Sequence, residues 1–166
     1  MTRIYLAIVL SFLASMATAQ ANEEMIMNIE SCVYEAPDGE ELQRCRNFPA
    51  NACMDKPGGS STRGMVACLN EERAAWDFLL NAYYQELKQK SAADDAVAQG
   101  PLARVASLRD AQRAWIAFRD ADCKMAYALA GEGAIRQIAG ADCLLGHTAA
   151  RSVAFLDMLD IQMGSD

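Results

Sequence analysis

Residues 112–123 read QRAWIAFRDADC and lie at the centre of a long helical pattern. Apolar side chains recur on both sides of this stretch at spacings of three and four residues, which is the period of an amphipathic helix. The recurring residues are Leu102, Val105, Leu108, Ala111, Trp115, Phe118, Met125 and Leu129. Pro101 suits a first helical position, and the glycines of Gly131-Glu132-Gly133 suit a helix end. The spacing therefore predicts a helix from about Pro101 to Ala130.

Two other segments show the same period, and the three together predict an all-α, antiparallel three-helix domain over residues 64–163. One helix is expected from about Arg63 to Lys90 and another from about Ala141 to Met163. Residues 91–100 are small and polar, which favours a linker between helices. Alternating runs of Val, Ile and Thr, which would predict strands, are missing from the sequence.

The segment before this domain, residues 20–63, is predicted to be a loop-rich extension. It lacks a long periodic pattern and is interrupted by prolines and glycines, which break regular structure. These are Pro37, Gly39, Pro49, Pro57, Gly58 and Gly59. A short helix near Glu40–Arg46 is the one regular element expected. Because three of the six cysteines fall in this segment, we expect disulfides rather than its own core to hold it.

Residues 1–19 have the features of a secretory signal peptide. Arg3 supplies a positive charge near the start, Ile4–Met16 is an almost unbroken apolar run, and Ala17-Thr18-Ala19 is a small-x-small cleavage pattern. Cleavage is expected after Ala19 or Ala21. No cysteine directly follows either position, so we expect no lipid or other membrane anchor. The protein is predicted to be periplasmic or secreted.

The 166-residue chain is acidic, with 22 Asp and Glu against 15 Lys and Arg and a formal net charge of -7. Loss of Arg3 with the signal removes one further positive charge. Nucleic acids and anionic membranes bind basic surfaces, so the charge balance argues against both as partners. It favours a basic envelope protein, which an acidic surface attracts over long range.

The six cysteines form an even set in a chain predicted to be exported, which predicts disulfide bonds. They are Cys32, Cys45, Cys53, Cys68, Cys123 and Cys143. Six cysteines permit 15 connectivities, of which nearest-neighbour pairing is the simplest. The pair Cys123–Cys143 would join two consecutive helices. The spacing C-x-x-C is missing, so neither a zinc site nor a thioredoxin-type redox site is indicated, and no cofactor is expected.

No recognisable motif indicates catalytic residues. His147 is the single histidine, lies on a predicted helix face and has no nucleophile motif near it. Asp120, Asp122 and Glu132 offer the carboxylates of a glycosidase-like pair, but carboxylates on a helix surface usually serve as solvated charge. We therefore expect that the protein is not an enzyme.

Polar side chains on or beside the apolar helix faces predict a structural network. They are Glu72, Asp77, Asn81, Gln112, Arg119, Thr148 and Arg151. A charge in such a place is costly unless it is paired, so we expect the two arginines to bind carboxylates. Glu72 and Asp77, on the first helix, are the candidate partners. A binding cleft is the alternative interpretation. The aromatic residues Trp76, Tyr84, Trp115 and Phe155 are expected in the core.

The cysteines, tryptophans and arginines also form a combined pattern. The stretch at 112–123 follows Cys53, Cys68, Glu72, Trp76-Asp77, Asn81 and Tyr84, and precedes Cys143, Thr148, Arg151 and Phe155. Over about residues 53–160, this pattern resembles the LprI-like lysozyme-inhibitor domain family of small exported bacterial proteins. The resemblance implies an all-helical exported domain that binds and inhibits lysozyme. The family often has a Gly-Gly pair where this chain has Gly131 and Gly133 separated by Glu132.

The resulting hypothesis is a non-enzymatic inhibitor of lysozyme or of a related peptidoglycan hydrolase. An inhibitor needs an exposed, rigid element that occupies the substrate cleft, because rigid elements lose little entropy on docking. The candidates are the Asp55–Arg63 loop, which lies between Cys53 and Cys68, and the Gly131–Gly140 connection. The contact residues expected in the loop are Asp55, Lys56, Ser60, Ser61 and Arg63. The alternative hypothesis is a periplasmic binding or scaffold protein for another ligand, which predicts an apolar groove between the helices.

Overall fold

The computed structural model describes residues 23–36, 44–97 and 103–163, with side chains up to residue 160. Every regular element in these ranges is a helix, which confirms the all-α class. None of the described helices combines the length and the apolar character that a membrane crossing requires. The expected signal peptide and its cleavage after Ala19 or Ala21 lie outside the described residues, as does most of the expected helix at 40–46.

The described part of the chain forms helix α1 over 23–35 and four further helices. They are α2 at Phe48–Met54, α3 at Thr62–Val97, α4 at Arg104–Leu129 and α5 at Ile135–Met163. The longest is α3, which continues through residues expected to be a linker because Ala92, Ala93 and Ala96 are strong helix formers. Helix α5 begins six residues before the expected start, since Ile138 already packs against the core.

The expectation of a loop-rich extension is wrong for its first described part. Residues 23–35 are helical, and Ile29 and Val33, one turn apart, are buried in the core. This spacing of four places both side chains on one helix face. The extension therefore contributes to the core of the protein, in addition to being held by disulfides.

Two apolar clusters form the core. In the first, Ile29 of α1 and Ala50 of α2 meet Trp76 of α3 and Leu145 of α5. In the second, Leu80 and Leu87 of α3 pack with Phe155 and Leu159 of α5, and Leu108 and Trp115 of α4 cover them in part. Helix α4 lies outermost, with Cys123 as its fully buried residue. Of the four aromatic residues expected in the core, Trp76 and Phe155 are fully buried.

Three disulfides join Cys32 to Cys45, Cys53 to Cys68, and Cys123 to Cys143. Each pair consists of nearest neighbours among the cysteines. The second bond ties the end of α2 to α3, and the third ties the end of α4 to the start of α5.

The start of α4 is held by hydrogen bonds instead of a disulfide. The Asp95 carboxylate of α3 accepts hydrogen bonds from the backbone N–H groups of Arg104 (3.0 Å) and Val105 (3.1 Å).

A buried carboxylate fixes the start of α2. Glu72 of α3 has no exposed surface. Its Oε1 accepts hydrogen bonds from the Asn47 backbone N–H at 2.8 Å and the Trp76 indole N–H at 3.1 Å, and its Oε2 accepts one from the Ala50 N–H at 2.9 Å. Asn47 is the N-cap of α2, and its own side chain makes no capping bond. Glu72 therefore satisfies helix-start N–H groups that would otherwise lack partners.

We expect Glu72→Ala to lower the free energy of unfolding by about 3 kcal/mol, because three N–H donors lose their acceptor. Denaturant unfolding of the oxidised protein measures this. The matched control is Glu71→Ala, which removes the neighbouring exposed carboxylate and should change stability by less than about 0.5 kcal/mol. Equal effects of the two substitutions would contradict the capping role.

Stability should also depend on pH through this carboxyl group. Burial raises the pKa of Glu72 above its ordinary 4.5, so the folded protein holds this proton more tightly than the unfolded chain does. The quantity to compare is the free energy of unfolding of the wild type minus that of Glu72→Gln. This difference should increase as the pH is lowered from neutrality, through the raised pKa of Glu72, to about 4.5. Parallel denaturation curves of both proteins across that range test the sign. If this difference instead decreases as the pH is lowered, the hydrogen bonds to the ionised carboxylate outweigh the effect of burial on the pKa of Glu72.

Candidate functional site

The turn between α2 and α3, residues 55–61, is closed at its base by the Cys53–Cys68 disulfide. Within it, the Lys56 N–H donates to the Cys53 carbonyl at 3.1 Å, and the Gly59 N–H donates to the Lys56 carbonyl at 2.9 Å. Arg63, the last residue of the expected loop, lies in the first turn of α3. We call residues 55–63 the α2–α3 loop.

Ser61 holds the end of this loop against the start of α3. Its Oγ donates to the Gly58 carbonyl at 2.8 Å and accepts from the Gly64 N–H at 3.0 Å, which is the bond pattern of a helix cap. The backbone is tightly packed here. A Cβ on Gly59 would lie 2.6 Å from the carbonyl oxygens of Cys53 and Met54, and one on Gly64 would collide with the Gly58 carbonyl. The loop is therefore stiff, and glycine is required at both positions.

The outer surface of the α2–α3 loop carries the residues that the sequence analysis singled out. Asp55, Lys56, Ser60, Ser61 and Arg63 are all exposed. The two cationic side chains among them are Lys56 and Arg63. Within the described chain, neither lies at ion-pair distance from a carboxylate. The loop thus presents two cations with no internal ion-pair partner, together with the exposed carboxylate of Asp55. Such a surface suits carboxylates of a partner.

The residues of the expected polar network separate into unconnected pairs. Asp77 accepts a hydrogen bond from Asn81, one turn later, at 3.2 Å. Arg119 forms an ion pair with its neighbour Asp120 at 2.8 Å. The Thr148 hydroxyl donates to the Leu144 carbonyl of its own helix at 2.7 Å.

The expected pairing of the two arginines with Glu72 and Asp77 is therefore wrong. Glu72 is already engaged by the start of α2 and by Trp76, and Asp77 by Asn81. No residue-type pattern indicates that the partners of a buried carboxylate are backbone N–H groups, so the sequence could not reveal this.

Gln112 and Arg151 are the two expected network residues that the structure brings together. The Arg151 Nε donates to the Gln112 Oε1 at 3.0 Å. The guanidinium of Arg151 lies 4.4 Å from the centre of the Phe155 ring and 5.9 Å from that of Trp115, whose ring also contacts Arg119 at 5.0 Å. Partial burial lowers the pKa of Arg151. For Arg151, cation–aromatic contacts thus stand in place of the expected carboxylate.

Beside Arg151, a groove of about 450 Å³ opens between α3, α4 and α5. Its apolar wall is formed by Leu87, Leu108, Phe155 and Met158. The polar residues that line it are Ser91, Arg104, Ser107 and Arg151. The sequence indicated one of these, Arg151, as a polar residue within an apolar pattern. The others come from α3 and α4, whose register against α5 was not predicted, so the groove itself could not be found.

His147 and the carboxylates considered for catalysis each contact a neighbouring side chain. The His147 Nε2 lies 2.8 Å from the Asp122 Oδ2. Asp120 pairs with Arg119, and Glu132 lies 3.9 Å from Arg136. The sulfurs of Cys123 and Cys143 are close to His147, but they are bonded to each other and offer no thiolate for a metal. Asp120 and Glu132 thus each lie near an arginine, and Asp122 shares a hydrogen bond with His147.

Comparison with known proteins identifies the family. The family model of lysozyme inhibitor LprI matches residues 53–154, which include the α2–α3 loop, the Cys53–Cys68 bond and most of α5. The chain is also 29% identical over 129 residues to an uncharacterized protein of Rhizobium meliloti (strain 1021), covering 72% of this chain and 91% of that protein. No solved structure matches the chain. Because the family model spans more than half of the residues, this protein belongs to the lysozyme inhibitor LprI family.

Proposed function

We propose that this protein is an exported, non-enzymatic inhibitor that binds lysozyme through its α2–α3 loop. The observation that carries the proposal is the loop itself, which is stiff, exposed and cationic on an acidic protein. Family membership supports the inhibitory role. The three disulfides and the family together suggest export, since such bonds persist in oxidising compartments.

The chemistry of the loop fits the catalytic cleft of a lysozyme. Such clefts contain two carboxyl groups, one acting as an acid and one as a nucleophile or stabiliser. Lys56 and Arg63 are cations without an internal carboxylate partner, so each can pair with a carboxylate of the cleft. The loop is already ordered by Ser61 and by the Cys53–Cys68 bond, which reduces the entropy lost on docking.

The overall negative charge and the α2–α3 loop act at different stages of binding. Many lysozymes are strongly basic, and the formal net charge of -7 attracts them over long range and raises the association rate. The cationic loop then acts at short range, within the cleft. In this proposal the acidic body guides approach, and the loop provides the specific contact.

The remaining helices act as the scaffold. We take residues 64–163 as an antiparallel three-helix domain and residues 20–63 as an extension to it, of which α1 and α2 are the described helices. Two connections support this arrangement. Asp95 near the end of α3 bonds the start of α4, and Cys123 near the end of α4 bonds Cys143 near the start of α5. The Gly131–Gly140 connection, also considered as an inhibitory element, includes the first turns of α5.

Inhibition is expected to depend on the two loop cations. Lysis of a peptidoglycan substrate by c-type lysozyme is measured with the oxidised protein at low and moderate salt. Lys56→Ala/Arg63→Ala should weaken inhibition at least tenfold, that is by about 1.4 kcal/mol, because two ion pairs are lost.

The matched control for that experiment is Lys88→Ala/Arg113→Ala, which removes one exposed lysine and one exposed arginine from α3 and α4. Both double variants are equally more acidic, so a difference between them cannot come from net charge. Equal inhibition by the two variants would contradict the role of the loop. If the wild type does not inhibit, the proposed target is wrong.

The rigidity of the α2–α3 loop should affect inhibition independently of the charge of the loop. Ser61→Ala removes both capping bonds at a cost of about 1 kcal/mol, so inhibition should weaken about threefold to fivefold while every charge remains. Ser60→Ala is the comparison: this neighbouring serine, also an expected contact residue, is exposed and makes no hydrogen bond within the described residues, so its removal can act on inhibition through direct contact but not through loop order. Inhibition constants of both variants are compared in the same assay. A larger effect of Ser60→Ala would mean direct serine contact instead of loop order.

A further inference from the structure

We propose that the groove between α3, α4 and α5 binds a free, single-chain amphiphile, whose carboxylate is held by Arg151 and whose hydrocarbon chain lies on the apolar wall. This inference does not rest on lysozyme binding, because it concerns different residues and a different kind of ligand.

The first argument is the shape and lining of the groove. Its volume of about 450 Å³ is in the range of small-molecule sites. Leu108 and Met158, which is 41% exposed, give its accessible apolar surface, while Leu87 and Phe155 are almost without exposed surface. A flexible thioether at such an edge can adapt to a hydrocarbon chain.

The second argument is the charge of the groove. The described residues that line it include two arginines and neither aspartate nor glutamate, although the chain has 22 acidic residues. Arg104 is already neutralised by Asp94, at 2.7 Å. Arg151 has no such partner within the described part of the chain. Its charge is therefore the one available to a ligand.

The third argument is the state of Arg151 itself. Its Nε is used by the neutral Gln112, which orients the guanidinium, while no hydrogen bond within the described residues uses its Nη atoms. These are the donors that grip a carboxylate in two parallel hydrogen bonds. The guanidinium is half-buried beside Phe155, so a carboxylate would replace solvation that the side chain has partly lost.

The test uses decanoate and 1-decanol, which differ in the charged head group and share the chain length. Binding to the oxidised, full mature protein is followed by titration calorimetry and by two-dimensional NMR. We expect saturable binding of decanoate, with 1-decanol bound at least tenfold more weakly. Equal affinities for the two probes, or no decanoate binding at millimolar concentration, would overturn the proposal.

Two variants locate the site. Arg151→Gln should weaken decanoate binding at least tenfold and leave 1-decanol binding unchanged. Since this variant can also disturb folding through Gln112 and Phe155, Ala111→Phe provides a second test. Ala111 is exposed and lines the groove, so a phenyl group there should block decanoate binding with no loss of stability. Ala114→Phe, at an exposed position outside the groove on the same helix, is the control.

Vesicles of phosphatidylglycerol test whether the ligand is a free amphiphile or a lipid within a membrane. The proposal expects no co-sedimentation of the protein, because an acidic surface is repelled by an anionic membrane. Co-sedimentation that Ala111→Phe abolishes would overturn the assignment of a free ligand in favour of a membrane lipid. Unchanged decanoate binding by Ala111→Phe would overturn the assignment of the groove.

Discussion

The structure depends on the buried carboxylate of Glu72. This one side chain of α3 satisfies two backbone N–H groups at the start of α2 and the indole N–H of Trp76 in the first core cluster. The other end of α2 is held to α3 by the Cys53–Cys68 bond. A seven-residue helix is too short to be stable alone, so it needs both attachments. Because α2 is fixed at each end, the α2–α3 loop that follows it is fixed as well.

Periodicity in the sequence predicted the three long helices but not their limits. The small, polar residues 91–100 favour a linker, but alanine-rich sequence also favours helix, and α3 continues to Val97 with Ser91 buried. Helix α1 was not predicted, although a helical spacing marks its core-facing residues, which are Met25, Ile26, Ile29, Cys32 and Val33. The exposed loop residues were predicted because turn chemistry is local. The groove and the partners of Glu72 depend on contacts between distant segments, which one sequence does not encode in a visible pattern.

The two proposed sites lie far apart on the same long helix. The α2–α3 loop ends at the first turn of α3, whereas Leu87 and Ser91 of the groove lie near its other end. At 1.5 Å per residue, this separation is about 40 Å along the helix axis. A small ligand in the groove would therefore not contact the α2–α3 loop. Each site contains cationic side chains, Lys56 and Arg63 in the loop and Arg151 in the groove, that have no carboxylate partner within the described part of the chain.

The pairing of each cysteine with its nearest neighbour has a consequence for how the chain matures. The bonds span 13, 15 and 20 residues, and no bond encloses or crosses another. When a polypeptide crosses a membrane from its N-terminus, each unpaired cysteine here meets its correct partner as the next thiol to emerge. Sequential oxidation in order of emergence then produces the native set directly. Pairing in that order forms no wrong bond that a disulfide-reshuffling enzyme would have to correct.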